Sequence, residues 1–155
     1  MINNVNHVSF TVSNLSESVE FYTKVLGLEL MSLADRDEEF SSAVTGIKGA
    51  KLNIAYIKAE GCSIELIEYT GAKGDRLNTS TNNTGSAHLC FNVVNFDEWI
   101  AHLKKNNVRF RGELCQVPAG PNIGRKVCYA MDNDGNNLEF IEVSEYNVLR
   151  LSSSQ

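Results

Sequence analysis

Two stretches of this chain repeat each other, and the repeat limits the fold more than any other feature of the sequence. Displaced by 81 residues, His7-Val8-Ser9-Phe10-Thr11-Val12 falls on His88-Leu89-Cys90-Phe91-Asn92-Val93, and the match continues through Asn14/Asn95, Glu17/Glu98 and Val19/Ile100. Displaced by 74, Glu60-Gly61-Cys62-Ser63-Ile64-Glu65-Leu66-Ile67-Glu68 falls on Asp134-Gly135-Asn136-Asn137-Leu138-Glu139-Phe140-Ile141-Glu142. Two matches in the same order imply two copies of one module. The first copy carries seven extra residues between its matched blocks, expected as a longer loop within 31–50. The modules are read as 1–70 and 84–145, with a polar linker over 71–83 and a tail over 146–155.

Periodicity gives each copy the same element order. Residues 5–12 alternate, with Val8, Phe10 and Val12 on one face and His7, Ser9 and Thr11 on the other, which predicts a half-buried strand. Asn14 followed by Glu17 suits a helix start, and Leu15, Val19, Tyr22 and Leu26 keep helical spacing until Gly27 stops the helix. Strands are expected over 28–33, 51–58 and 62–69. The second copy repeats the order: strand 87–94, helix 96–106, strand 108–115, strand 125–131, an Asp132-Asn133-Asp134-Gly135 turn and strand 137–143. The result is an α+β fold of two tandem βαβββ modules. A lone module would leave one sheet face bare, so the two are expected to pair into a partly open, barrel-like half-shell with helices outside and a cavity within.

The same alternation assigns side chains to faces. With Val8, Phe10, Leu89 and Phe91 turned to the helices, His7 and His88 point inward; with Ile64, Leu66, Leu138 and Phe140 turned to the helices, Glu65 and Glu139 point inward. Two imidazoles and two carboxylates, one of each per copy, suit one divalent ion such as Ni²⁺, Co²⁺, Zn²⁺, Mn²⁺ or Fe²⁺. A core histidine hydrogen-bonded to a glutamate is the plainer account of either pair alone, but four such residues in register across a repeat favour a metal. Ser9, Thr11, Cys90 and Asn92 should line the cavity. Glu68 and Glu142 repeat too, and are expected as solvated edge charges. His102 is expected on the surface. The stretch Asp35-Arg36-Asp37-Glu38-Glu39-Phe40 is either a lid or a solvated helix.

Composition excludes several classes. The net charge of −5, from 14 Lys+Arg against 19 Asp+Glu, argues against a nucleic-acid partner. No apolar run is long enough to span a bilayer, and the N-terminus carries no basic and apolar leader pattern, so a cytoplasmic protein without a membrane partner is expected. Cys62, Cys90, Cys115 and Cys128 form no CxxC pair, and free thiols are expected rather than a zinc ribbon or disulfides.

The paired βαβββ pattern, the opening His7-Val8-Ser9-Phe10-Thr11-Val12 with Phe21-Tyr22 and Leu26-Gly27-Leu28, and the closing block 132–142 together resemble the vicinal oxygen chelate superfamily. That group includes glyoxalase I, methylmalonyl-CoA epimerase, extradiol dioxygenases, and the fosfomycin and bleomycin resistance proteins. The resemblance places metal ligands at His7, Glu65, His88 and Glu139. A Glu at position 65 is most similar to glyoxalase I; the epimerase has Gln there, and the dioxygenases and fosfomycin enzymes have a non-ligating residue. It implies that the metal polarises substrate oxygens while a carboxylate, Glu139 first and Glu65 second, moves a proton at the adjacent carbon. The loop 118–126 resembles one near the family's cavity mouth, where Arg125 or Lys126 would meet an anionic substrate. The chain carries no glutathione-specific signature, so the resemblance implies no particular substrate. Family precedent and exposed sheet edges suggest a homodimer. A metal-dependent lyase or isomerase is the leading expectation. The alternatives are a resistance-type module that binds an antibiotic or other small molecule, and an extradiol ring-cleaving dioxygenase, for which no acid–base His or Tyr stands out.

Overall fold

A computed structural model describes residues 1–144. The chain forms two compact units, Met1–Leu77 and the part from Asn78 onward.

The first unit opens with β1 (His7–Thr11), whose exposure alternates as its sequence does. Asn14 then caps α1 (Leu15–Glu20): its Oδ1 accepts from the Glu17 amide at 3.2 Å, and its Nδ2 donates to Glu17 Oε1 at 2.9 Å. A second cap was not legible in the sequence. Glu68 Oε2 accepts from the Leu15 amide at 3.0 Å, so a carboxylate sits at the positive end of α1. Glu68 is therefore a mostly buried anchor and not a solvated edge charge. The expected single helix over 15–25 widens into a π turn, Phe21–Val25, closed by a Leu26 amide to Phe21 carbonyl bond of 3.0 Å and by Gly27 at φ 73°. This turn buries Tyr22 completely.

The strands β2 (Glu29–Arg36), β3 (Lys51–Ala59) and β4 (Cys62–Gly71) complete the sheet, in the order β1-β4-β3-β2. The extra residues of the first copy are no bare loop. They form α2 (Glu38–Thr45), whose start is capped by Asp37 Oδ1 accepting from the Phe40 amide at 2.9 Å. The stretch 35–40, expected as a lid or a solvated helix, divides: Asp35 and Arg36 end β2, Asp37 caps α2, and residues 38–40 begin that helix. The β1/β4 pair is parallel and the others antiparallel. One face of the sheet carries Phe10, Ile64 and Leu66, all buried, and α1 packs on β3 and β4.

The second unit repeats this with β5 (His88–Val93), α3 (Phe96–Lys105), the short β6 (Arg109–Phe110), β8 (Lys126–Met131) and β9 (Asn137–Glu142), in the order β5-β9-β8-β6. The expected strand over 108–115 is broken into β6 (Arg109–Phe110) and β7 (Cys115–Gln116), both paired to β8. The Arg111 amide still donates to the Tyr129 carbonyl of β8 at 2.9 Å, while its guanidinium turns to Asn137 Oδ1 at 2.9 Å, Thr79 Oγ1 at 2.7 Å and the Gly135 carbonyl at 3.0 Å. Those bonds also tie the end of the expected linker, residues 79–83, into the second unit, with Asn137 Nδ2 donating to the Thr79 and Ala87 carbonyls. Asn95, the counterpart of Asn14, adopts φ 52° and makes no side-chain cap bond to α3. His102 is half-buried and stacked on Trp99 at 5.4 Å rather than free on the surface. All four cysteines are free thiols. Among the described residues no helix is long and apolar enough to cross a membrane.

Close approach at the end of β4 gives a stability prediction. A Cβ on Gly71 would lie 2.3 Å from the Gly49 carbonyl oxygen, a backbone atom that cannot swing away, whereas one on Gly74 would meet open space. Gly71→Ala is expected to cost about 1–3 kcal/mol in urea unfolding, and Gly74→Ala less than about 0.5 kcal/mol. Equal midpoints for the two variants would contradict the packing described.

Candidate functional site

Parallel pairing in each unit sets a histidine beside a glutamate. In the β1/β4 ladder Ser9 stands opposite Glu65 and His7 opposite Ser63, so His7, Ser9, Thr11 and Glu65 share the face away from the buried Phe10 and Leu66. His7 Nε2 lies 3.3 Å from Glu65 Oε2. The other ring nitrogen, Nδ1, is 2.7 Å from Asn6 Oδ1. A proton on Nδ1 shared with Asn6 leaves the Nε2 lone pair turned to the site. In the β5/β9 ladder Cys90 stands opposite Glu139, and His88 Nε2 lies 3.0 Å from Glu139 Oε2.

Each pair has a third member that the sequence did not announce. Tyr56 is the direct cross-strand partner of Glu65, and Tyr129 of Glu139. The Tyr56 hydroxyl donates to Glu65 Oε1 at 2.6 Å. Both tyrosine rings stand edge-on to the histidine of their unit, at 6.2 Å and 78° for His7 and at 5.2 Å and 79° for His88. Only the hairpin register reveals these partners: counting back from the Glu60-Gly61 and 132–136 turns reaches Tyr56 and Tyr129.

The electrostatics follow from the carboxylates. Glu65 is only 7% exposed, and a carboxylate so far from water needs partners. Its hydrogen bond holds the Tyr56 phenol above the ordinary tyrosine range, burial and the Glu65 charge add to this, and Arg36 pulls the other way. Burial first, then the Glu139 charge and hydrogen bond, do the same to Tyr129. Burial and Glu139 together push the Cys90 thiol up to about 12, and Cys128 to about 11.

The remaining candidates separate. Thr11 and Asn92 pair with Ile67 and Ile141 and share the His/Glu face of their units, as do Ser9 and Cys90. Arg125 ends the loop before β8, where its carbonyl accepts from the Val117 amide at 2.9 Å. Lys126 does not share the His/Glu face: it is one residue out of phase with Tyr129, and its Nζ pairs with Asp97 at 2.5 Å and Glu142 at 3.9 Å. The expected contact of Lys126 with an anionic substrate is thus replaced by an ion pair at the start of α3. Glu142 also accepts from the Lys126 amide at 3.2 Å.

Within each pair the donor spacing matches that of two ligands on one divalent ion. Two ligands on one ion, at bond lengths of about 2.1 Å and angles between about 90° and 110°, stand about 3.0–3.4 Å apart. The His–Glu separations of 3.3 and 3.0 Å lie in that window. Each unit presents two donors in this way; among the described residues no three or more His, Cys, Asp or Glu side chains are gathered at one point.

Comparison with known proteins adds a family. The model of the Glyoxalase/Bleomycin resistance protein/Dioxygenase superfamily matches residues 4–140. A lactoylglutathione lyase of Schizosaccharomyces pombe is 28% identical over 150 residues, covering 91% of this chain and 48% of that protein, so the chain spans about half its length. A 2-epi-5-epi-valiolone epimerase of Actinomyces sp is 28% identical over 144 residues, covering 90% of this chain and 79% of that one. The crystal structure of a glyoxalase family protein from Bacillus cereus superimposes with a TM-score of 0.77 at 24% identity, covering 92% of this chain and 95% of that chain, and shares the fold.

The contact between Glu139 and Cys90 yields a chemical prediction. A thiol pushed up to about 12 is nearly all protonated at neutral pH and alkylates slowly. Glu139→Gln removes the negative charge, lowers the thiol's pKa and should speed Cys90 labelling by iodoacetamide at pH 8 severalfold, as read by peptide mass spectrometry. An unchanged rate would contradict the arrangement.

Proposed function

The chain belongs to the glyoxalase/bleomycin resistance protein/dioxygenase superfamily, and on that premise we propose that it is a metal-dependent lyase or isomerase that moves a proton next to a chelated oxygen of a small substrate. The observation that carries the proposal is the duplicated His–Glu pair, with donor separations of 3.3 and 3.0 Å on equivalent strands. His7, Glu65, His88 and Glu139 are the residues that hold one divalent ion, drawn from Ni²⁺, Co²⁺, Zn²⁺, Mn²⁺ or Fe²⁺. The ion, when bound, supplies Lewis-acid charge for substrate oxygens.

The protein's own side chains do the rest. Glu139 is the base: its side chain is 17% exposed against 10% for Glu65, so it is the carboxylate better reached by a substrate carbon. Ser9, Thr11, Cys90 and Asn92 present short polar groups on the same faces and orient the substrate's oxygens. Arg125 is the cation available to an anionic substrate, since Lys126 is engaged with Asp97. Names among the relatives support the proton-transfer class, one being a lyase and another an epimerase. A module that merely sequesters a drug has no use for two such paired carboxylates. We further propose that the protein works in the cytoplasm as a homodimer.

Two measurements test this. In D₂O, metal-loaded protein offered 2-oxo and acyl-thioester compounds should place deuterium at the carbon beside the chelated oxygen. Glu139→Gln keeps a ligating carbonyl oxygen but loses the base, so turnover should fall about 10²–10⁴-fold with a modest loss of metal. Oxygen consumption would point to ring cleavage instead, and ligand binding without exchange would point to a sequestering protein; either overturns the proposal. Activity intact in Glu139→Gln overturns the role given to Glu139. Sedimentation at micromolar concentration should give a dimer, and a monomer contradicts that part.

A further inference from the structure

The two imidazoles are held by different means, and the difference falls at matching positions of the repeat. In the first unit the residue before His7 is Asn6, whose Oδ1 stands 2.7 Å from His7 Nδ1. In the second unit its counterpart is Ala87, whose side chain has no polar atom. There the ladder partner of His88, Asn137, supplies the hold. Its side chain is buried at 1% exposure. Nδ2 donates to the Ala87 carbonyl at 3.2 Å, the Thr79 carbonyl at 2.7 Å and Ser86 Oγ at 3.1 Å. Arg111 Nε donates to Asn137 Oδ1 at 2.9 Å, and Arg111 Nη2 reaches Thr79 Oγ1 at 2.7 Å and the Gly135 carbonyl at 3.0 Å. An arginine only donates, so Arg111 fixes which end of the Asn137 amide faces residues 79–87. The Thr79 hydroxyl closes the network by donating to the Gly135 carbonyl at 2.6 Å. In the first unit the matching ladder partner of His7 is Ser63, whose hydroxyl is directed at the Met31 sulfur at 4.0 Å.

We propose that Asn137 and Arg111 are positioning residues for His88: they pin the Ala87 carbonyl, and with it the peptide that carries the imidazole. The inference rests on the proposed function for what His88 does, though not for how it is held. His88 is the first residue of β5, and the end of a strand frays unless it is tied down. A buried amide that loses its partners leaves polar atoms dry, so Asn137 opposes that fraying. The Arg111 charge adds to this, since a hydrogen bond with an ionised partner is roughly twice as strong as a neutral one. A shift of the Ala87–His88 peptide would carry His88 Nε2 away from Glu139 Oε2, now 3.0 Å distant, and spoil the spacing that suits an ion.

Asn137→Leu and Arg111→Met remove the pin itself. Thr79→Val is milder: it keeps the side chain's shape and loses the hydroxyl, which Thr79→Ser retains. In metal-free protein carrying ¹⁵N-histidine, Asn137→Leu, Arg111→Met and, to a smaller extent, Thr79→Val should shift and broaden the His88 ring signals and leave those of His7 in place. Amide exchange over residues 86–89 should rise about tenfold or more while that over 7–10 stays unchanged, and Thr79→Ser should keep the parental pattern. Calorimetric titration with Ni²⁺ should show Asn137→Leu weakening binding about 10–100-fold, as loss of a partner behind a ligand does, and Ser63→Ala by less than about threefold. Unmoved His88 signals in Asn137→Leu and Thr79→Val overturn the pin. So do shifts of equal size at His7 and His88, the mark of a network that serves overall stability alone. Should Asn137→Leu or Arg111→Met fail to fold, the two Thr79 variants decide by the same outcomes. A parent that takes up no Ni²⁺ while the His88 signals respond overturns the proposed function and leaves the pin standing.

Discussion

Parallel pairing between the first and last strands of each module, β1 with β4 and β5 with β9, is the interaction from which the site follows. Parallel neighbours need a long crossover, and here the helix and the intervening strands supply it. That crossover lets a histidine at the start of a module stand beside a glutamate near its end. Because the side-chain period of a strand is two, the register that buries Phe10 against the helix side must also turn His7 outward from it. A slip of one residue would exchange the two faces, exposing the core and burying the imidazole. The core therefore enforces the site geometry without any energy devoted to the site itself.

The cost of the arrangement is a nearly buried carboxylate. Glu65 at 7% exposure would be strongly disfavoured alone. The Tyr56 hydroxyl, donating to Glu65 Oε1 at 2.6 Å, offsets part of that cost. A divalent cation is a natural complement of such a carboxylate. The same reasoning separates Glu65 and Glu139 from Glu68. Glu68, three residues on and on the other face, has its charge met by the amide end of α1 and by Lys73 at 3.3 Å.

Much of this was legible in the sequence, and the failures have physical causes. The repeat and the period-two alternation gave the module order, the sheet faces of His7, Ser9, His88 and Cys90, and the place of the extra residues that became α2. What alternation cannot give is the partner across a hairpin. Tyr56 and Tyr129 read as ordinary strand residues until the register set them opposite Glu65 and Glu139. Long-range bonds were hidden for the same reason: Glu68 capping α1 and Arg111 binding Asn137 and Thr79 depend on residues far along the chain. Lys126 failed differently. It looked equivalent to Arg125 in sequence, but Lys126 opens β8 and meets Asp97 and Glu142, while Arg125 stays in the loop before it.

The account stands on the claim that His7, Glu65, His88 and Glu139 act together on one ion. Calorimetric titration of metal-free protein with Ni²⁺, run on the parent, His7→Ala and His88→Ala, tests it directly. The parent should bind about one ion per chain, and each variant should lose more than the roughly 100-fold that a supporting partner costs, because a direct ligand is gone. Two independent ions per chain, each lost with only one of the histidines, would contradict the shared site, as would binding that neither substitution weakens.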